Sequence, residues 1–152
     1  MARQVELRRF RDEVGGWLSR CVWRHYATLT DDYGNSPASL LRQGRKFIRR
    51  LESMARRRVD YFLIVEGARC GFPHLHALLL GTDFLTVKEM ERAWRLGFTS
   101  IRRYDPTRGA ADYVAKELAH VDFDPDLWDI RLPREPGEER TRRWSRSRRR
   151  RL

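Results

Sequence analysis

Two histidines alternate within an apolar run at residues 74–80, in the pattern of ligands on a β-strand. Because side chains along a strand point alternately to opposite faces, His74 and His76 lie side by side while Leu75 points away from them. Two imidazoles placed in this way can share one metal ion. The residue types and their spacing therefore predict a metal site.

A third ligand is predicted from the segment just upstream. Residues 59–66 are rich in aromatic and β-branched side chains, which favours a strand, and the segment ends in Glu66. The short connection at residues 67–73 contains glycine and proline and suits a hairpin, which would return Glu66 beside His74 and His76. This set of nitrogen and oxygen donors favours Mn²⁺ or Mg²⁺ as the cofactor over a closed structural zinc site.

Two other interpretations of the histidines stay open at this point. The pair can be simply packed or hydrogen-bonded within a strand, as a lone histidine usually is. Alternatively, Cys70 can join the histidines in a zinc site, although no fourth ligand is evident. The other histidines, His25 and His120, have no neighbours in the sequence that suggest ligation.

The elements that must position these residues follow from hydrophobic periodicity and end signals. Ser36 and Pro37 mark a helix start, Thr86 offers a second N-cap, and Tyr113 and Lys116 share one face of a segment that favours helix. The predicted helices are residues 4–20, 37–58, 86–96 and 110–118, and the predicted strands are residues 21–30, 59–66, 74–80 and 98–104.

The charge of the chain points to a polyanionic partner. Its 32 Lys and Arg residues exceed its 21 Asp and Glu residues by 11, and most of the basic residues are arginines. Arginine suits bidentate phosphate contacts and base stacking, so nucleic acid is favoured over an anionic membrane surface. No apolar run approaches the ~20 residues that span a bilayer, and the two cysteines form no disulfide framework. We therefore expect a cytoplasmic protein with no membrane partner.

The chain of 152 residues has the length of one domain, without room for a helicase module. We expect an N-terminal helical segment at residues 1–21 and a folded domain at residues 22–132. Residues 133–152 are dominated by Glu and Arg and are predicted to form a disordered, arginine-rich tail that holds a polyanion loosely.

Three motifs, taken together and in order, make the chain resemble a known family. They are Ala27-Thr28-Leu29-Thr30, then Glu66 followed by Pro73-His74-Leu75-His76, and Tyr113-Val114-Ala115-Lys116-Glu117. This order resembles the HUH endonucleases, and most closely the single-tyrosine replication initiator (Rep) proteins of rolling-circle plasmids and phages. The resemblance covers residues from about 22 to 118.

The resemblance implies an α+β fold with a central antiparallel sheet, related to the RRM and ferredoxin-like folds, and helices packed on it. It also implies an enzyme that nicks single-stranded DNA at a replication origin, which can include a hairpin. Such an enzyme becomes covalently joined to the 5′ end, leaves a 3′ hydroxyl, and later rejoins strands. Unwinding would require a host or partner helicase, and we expect a monomer.

The resemblance assigns Tyr113 as the catalytic nucleophile and lets Lys116 stabilise the phenolate, the phosphotyrosine or the bound phosphate. A phenol with a pKa near ~10 needs such help, because it is a poor nucleophile at neutral pH. Lys116 can instead pair with Asp112 one helical turn away. The rival tyrosines are Tyr26, Tyr33, Tyr61 and Tyr104, and Thr28 and Thr30 are equally ordinary strand residues.

Two further functions remain open. A single-tyrosine HUH transposase would use the same chemistry as an obligate dimer. An RRM-like module would bind single-stranded nucleic acid without cutting it, through exposed aromatics and the basic tail.

Overall fold

The computed structural model describes residues 2–67, 73–109 and 126–133. Five strands form one sheet in the order β4-β1-β3-β2-β5, and every neighbouring pair is antiparallel. The described elements, in chain order, are α1 Ala2–Arg20, β1 His25–Thr30, α2 Pro37–Ala55, β2 Asp60–Glu66, β3 His74–Leu80, α3 Val87–Ala93, β4 Thr99–Arg103, a short 3-10 helix Pro106–Arg108, and β5 Trp128–Arg131.

The run from β1 to β4 has the β-α-β-β-α-β order of the ferredoxin-like fold. The α+β class and the antiparallel sheet predicted from the sequence are therefore confirmed. The N-terminal helix α1 and the edge strand β5 are additions to this arrangement, since β5 pairs with the outer side of β2.

Alternation along the strands divides the core between the two faces of the sheet. One face packs against the apolar side of α2 and against α3, and includes Leu63, Leu75 and Leu79. The other face is covered in part by the C-terminal half of α1 through Val14 and Leu18. The central β2–β3 hairpin is thus covered on both faces, which explains why its sequence is almost continuously apolar.

Side-chain caps fix where the helices on the sheet begin. The Ser36 hydroxyl accepts a hydrogen bond from the Ser39 amide at 3.2 Å, and Pro37 takes the first helical position. Thr86 and Glu89 form a reciprocal capping box at the start of α3.

The helices α2 and α3 end earlier than predicted. Arg56 adopts a left-handed conformation that stops α2 at Ala55 rather than at residue 58. Helix α3 stops at Ala93 rather than near residue 96, because Trp94 is extended. The Trp94 indole N–H donates to the Thr30 carbonyl at 2.7 Å and so ties this helix end to β1.

Two strand predictions need correction. The first strand begins at His25 rather than at residue 21, because the Trp23 indole N–H donates to the Leu18 carbonyl at 2.7 Å and holds this stretch against the end of α1. Strand β5 was not predicted. The predicted helix at residues 110–118 lies outside the described residues.

Gly81 allows the chain to leave β3 close to another backbone segment. Its φ is +91°, and a Cβ atom added there would lie 2.7 Å from the Arg58 carbonyl oxygen. Only glycine fits this position without strain. In the described ranges, no helix is both long enough and apolar enough to cross a membrane.

Candidate metal centre

The hairpin register brings Glu66, His74 and His76 to one face of two adjacent strands. Glu66 lies opposite His74, and Ile64 lies opposite His76, so the three side chains follow the same alternation. Their potential ligand atoms all lie within 4.8 Å of one another. The structure therefore brings together the three residues that the sequence singled out as metal ligands.

One carboxylate oxygen connects the two imidazoles. The Nε2–H groups of His74 and His76 both donate to Oε2 of Glu66, the former at 3.1 Å. The two rings are nearly perpendicular, at 80°, with their centres 4.8 Å apart. Both Nε2 atoms are thus directed at one small region, and the two nitrogens and one oxygen fit a divalent cation with positions left for substrate oxygens.

The site is buried on one side and accessible on the other. The His76 side chain is 7% exposed, whereas that of His74 is 32% exposed and that of Glu66 is 22% exposed. A phosphate group could therefore approach from the His74 side while His76 anchors the site in the sheet.

A left-handed turn follows the carboxylate ligand. Gly67 has a φ of +73°, so the chain turns away directly after Glu66 at the end of β2. Glycine adopts this conformation without the steric cost that a Cβ atom would add.

Tyr26 and Thr28 on β1 contact the second nitrogen of His76. The Tyr26 hydroxyl lies 2.7 Å from Nδ1, and the Thr28 hydroxyl lies 3.3 Å from the same atom. The Tyr26 and His76 rings are also stacked, with centres 5.7 Å apart. Partners of this kind fix the orientation and tautomer of a metal-binding histidine. Sequence reasoning treated Tyr26 only as a rival nucleophile.

Burial lowers the pKa of His76, and the nearby His74 lowers it further, while the hydrogen bond and charge of Glu66 act in the opposite direction. The lowered pKa favours the neutral imidazole, which is the form that binds a metal.

A row of polar and exposed residues leads from the site to the edge strand β4. Thr28 lies between His76 on one side and Ser100 on the other, and the Thr30 hydroxyl donates to the Phe98 carbonyl at 2.9 Å. Phe98 is 70% exposed. The guanidinium of Arg102 lies 5.4 Å from the centre of the Tyr26 ring.

Several candidates lie outside the described residues, namely Tyr113, Lys116, Asp112, Cys70 and His120. Their predicted roles therefore stay predictions. The described histidine that was not predicted as a ligand, His25, points to the opposite face, where its Nδ1 lies 2.7 Å from the Thr82 hydroxyl.

The rival tyrosines occupy other environments. Tyr33 is 75% exposed, and Tyr104 packs against the cluster under α1. Tyr61 lies on the face opposite the metal centre and donates to Asp129 at 3.1 Å. Burial and the charge of Asp129 raise the pKa of Tyr61 to about 12, which makes its phenol a still weaker nucleophile at neutral pH.

Comparison with known proteins gives one family. The family model described as replication-associated protein, ORF2 type, matches residues 24–122, which include β1 to β4, the candidate metal centre and the Tyr113 motif. No match was found among curated proteins or among solved structures.

Proposed function

Because the chain belongs to the ORF2-type family of replication-associated proteins, we propose that it initiates rolling-circle replication by nicking and rejoining single-stranded DNA. The proposed reaction is metal-dependent, sequence-specific and passes through a covalent 5′-phosphotyrosine. The observation that carries this proposal is the convergence of His74, His76 and Glu66 on one face of the central hairpin of a replication-associated protein.

The donor set supports a role in phosphoryl transfer. Glu66, His74 and His76 would hold a divalent cation, for which we propose Mn²⁺ or Mg²⁺. When bound, such a cation polarises the oxygens of a phosphodiester and offsets the charge that develops on them. The exposure of His74 leaves room for the phosphate, and the buried contacts of His76 keep its ring in place.

Tyr113 supplies the nucleophile in this proposal. Its phenolic oxygen forms a bond to the scissile phosphorus while the bond from phosphorus to the 3′ oxygen breaks, and the phenol proton ends on the released 3′ hydroxyl. Lys116, one helical turn away, would stabilise the phenolate and the phosphotyrosine by its charge. Since one ester is exchanged for another, the reverse reaction rejoins the strand without an energy source.

The exposed residues of β4 support a single-stranded substrate. Phe98 offers an aromatic surface on which a base can stack, and Arg102 offers a cation for the backbone. We infer that the strand approaches the metal centre from this edge of the sheet, on the side where His74 is exposed.

The test is incubation of the purified chain with a diverse pool of labelled single-stranded DNAs and Mn²⁺, followed by denaturing electrophoresis. We expect a DNA-linked protein band that disappears with EDTA and in Tyr113→Phe. Tyr33→Phe, which removes an exposed hydroxyl elsewhere, is the matched control and should retain the band. Metal-independent DNA binding without any covalent band would instead indicate a binding module, and the nuclease proposal would then be rejected.

A further inference from the structure

A second basic site lies on the face of the sheet opposite the metal centre. A cleft of about 220 Å³ opens between the C-terminal half of α2 and the end of α3. Three arginines, one small polar residue and two apolar residues line it: Arg50, Arg92, Arg95, Ser53, Met54 and Ala93. Because α2 and α3 pack on the face that does not carry His74 and His76, the sheet separates this cleft from the metal centre.

The three arginines of the cleft bring like charges together. Among the described residues, no carboxylate oxygen lies within 4 Å of Arg50, Arg92 or Arg95, whereas Arg24, Arg45 and Arg58 each have such a partner. Like charges held together repel, so a bound anion would relieve an unfavourable interaction here.

Arg50 is positioned before any ligand binds. One of its terminal N–H groups donates to the Ala93 carbonyl at 3.0 Å, which holds the guanidinium between the two helices. Burial, together with the charges of Arg95 and Arg49, lowers the pKa of Arg50, although an arginine remains protonated at neutral pH. A fixed guanidinium loses less side-chain entropy when it binds a phosphate.

Basic residues continue along α2 from the cleft. Arg42, Lys46 and Arg49 are exposed and recur every three or four residues, so they lie along one side of the helix. From Arg42 to Ser53 this side extends roughly 16 Å at 1.5 Å per residue. Its shape suits an extended polyanion rather than a single small anion.

We propose that the cleft formed by Arg50, Arg92 and Arg95 binds phosphate groups of a nucleic-acid backbone, and that this strand continues along the exposed basic side of α2. The planar guanidinium fork matches phosphate oxygens, and released counterions favour binding to a strand. This segment is distinct from the one at the metal centre, since it lies on the other face of the sheet. The inference does not depend on strand cleavage.

The test compares two variants of the full chain that lose the same charge. Arg50→Gln/Arg92→Gln/Arg95→Gln removes the cleft arginines. Arg8→Gln/Arg9→Gln/Arg20→Gln removes three exposed arginines of α1 as the matched control. Fluorescence anisotropy in EDTA measures the Kd for a labelled 20-nucleotide single strand and for a 20-base-pair duplex over a series of salt concentrations. EDTA keeps the result independent of the proposed metal chemistry.

We expect the cleft variant to reduce the slope of log Kd against log salt concentration by roughly 2 to 3, and the control to reduce it by less than about 1. A loss confined to one DNA form would identify that form as the source of the phosphates. Equal changes in both variants, or no change in the cleft variant, would overturn the proposal.

A third variant separates binding from folding. If circular dichroism shows that the Arg50 substitution unfolds the chain, Arg92→Gln/Arg95→Gln replaces it, because both side chains are exposed. This double variant should reduce the slope by roughly 1 to 2. Its nicking of a short oligonucleotide in the assay for the proposed function should equal that of the wild type, and a failure of the wild type there would leave the EDTA binding result intact.

Discussion

Replacement of Tyr26 by Phe should weaken metal binding by roughly tenfold, even though Tyr26 is not a ligand. With its Nε2–H donated to Glu66, His76 accepts a hydrogen bond from the Tyr26 hydroxyl at Nδ1. A cation bound at Nε2 requires the other tautomer, in which Nδ1 carries the proton and donates it. The Tyr26 hydroxyl can reverse its role from donor to acceptor, whereas Phe leaves a buried N–H with only the more distant Thr28 hydroxyl.

The magnitude follows from these two contacts. Loss of partners next to a ligand typically costs 10- to 100-fold in metal affinity. The Thr28 hydroxyl, at 3.3 Å against 2.7 Å for Tyr26, can replace part of the lost interaction, so the lower figure, about 1.4 kcal/mol, applies to Tyr26→Phe alone. Tyr26→Phe/Thr28→Val removes both hydroxyls and should approach hundredfold.

Isothermal titration of the full chain with Mn²⁺ measures this effect without requiring nicking. Tyr61→Phe is the matched control, because it also removes a hydrogen-bonded tyrosine hydroxyl, but on the opposite face of the sheet. Its Kd for Mn²⁺ should stay within twofold of the wild type. The reasoning is refuted if Tyr26→Phe also stays within twofold, or if both variants lose affinity equally.

Three further outcomes are expected. Glu66→Gln should weaken Mn²⁺ binding in the same titration by more than Tyr26→Phe does, because a charged ligand is lost. Gly81→Ala should lower the free energy of unfolding by about 2 kcal/mol in urea titrations, given its φ of +91°, whereas Gly16→Ala in α1, with no atoms nearby, should raise it by up to about 1 kcal/mol. The stability advantage of the wild type over Tyr61→Phe, up to about 3 kcal/mol, should be complete below pH ~10 and vanish as the pH rises to about 12, because the unfolded phenol ionises first.

The metal hairpin was predictable because all of its signals are local. Alternation placed His74 and His76 on one face, and a short connection required Glu66 to return beside them. The starts of α2 and α3 were predictable for the same reason, since their caps lie next to the helices they begin. The family resemblance is confirmed by the family model, whereas the roles of Tyr113 and Lys116 remain predictions.

The contacts that local patterns do not determine are those between distant segments. Tyr26 meets His76 only because β1 pairs with β3 in one register, across 50 positions of the chain. Strand β5 is short and contains Asp129 and Arg131, which disguised its alternation with the inward Trp128 and Ile130. Arg131 nevertheless suits this edge, because its guanidinium hydrogen-bonds the Val59 carbonyl and Glu52.

The position of each ligand in the sheet has a consequence for how the centre is held. His74 and His76 lie on β3, the central strand, whose backbone is bonded to β1 on one side and β2 on the other. Opening the sheet at His76 would therefore disrupt ladders on both sides and expose the core beneath. Glu66 is instead the last residue of β2, directly before the turn at Gly67. The two imidazoles thus provide a rigid base, while the carboxylate, at a strand end, is the ligand best placed to adjust when a cation and a phosphate enter together.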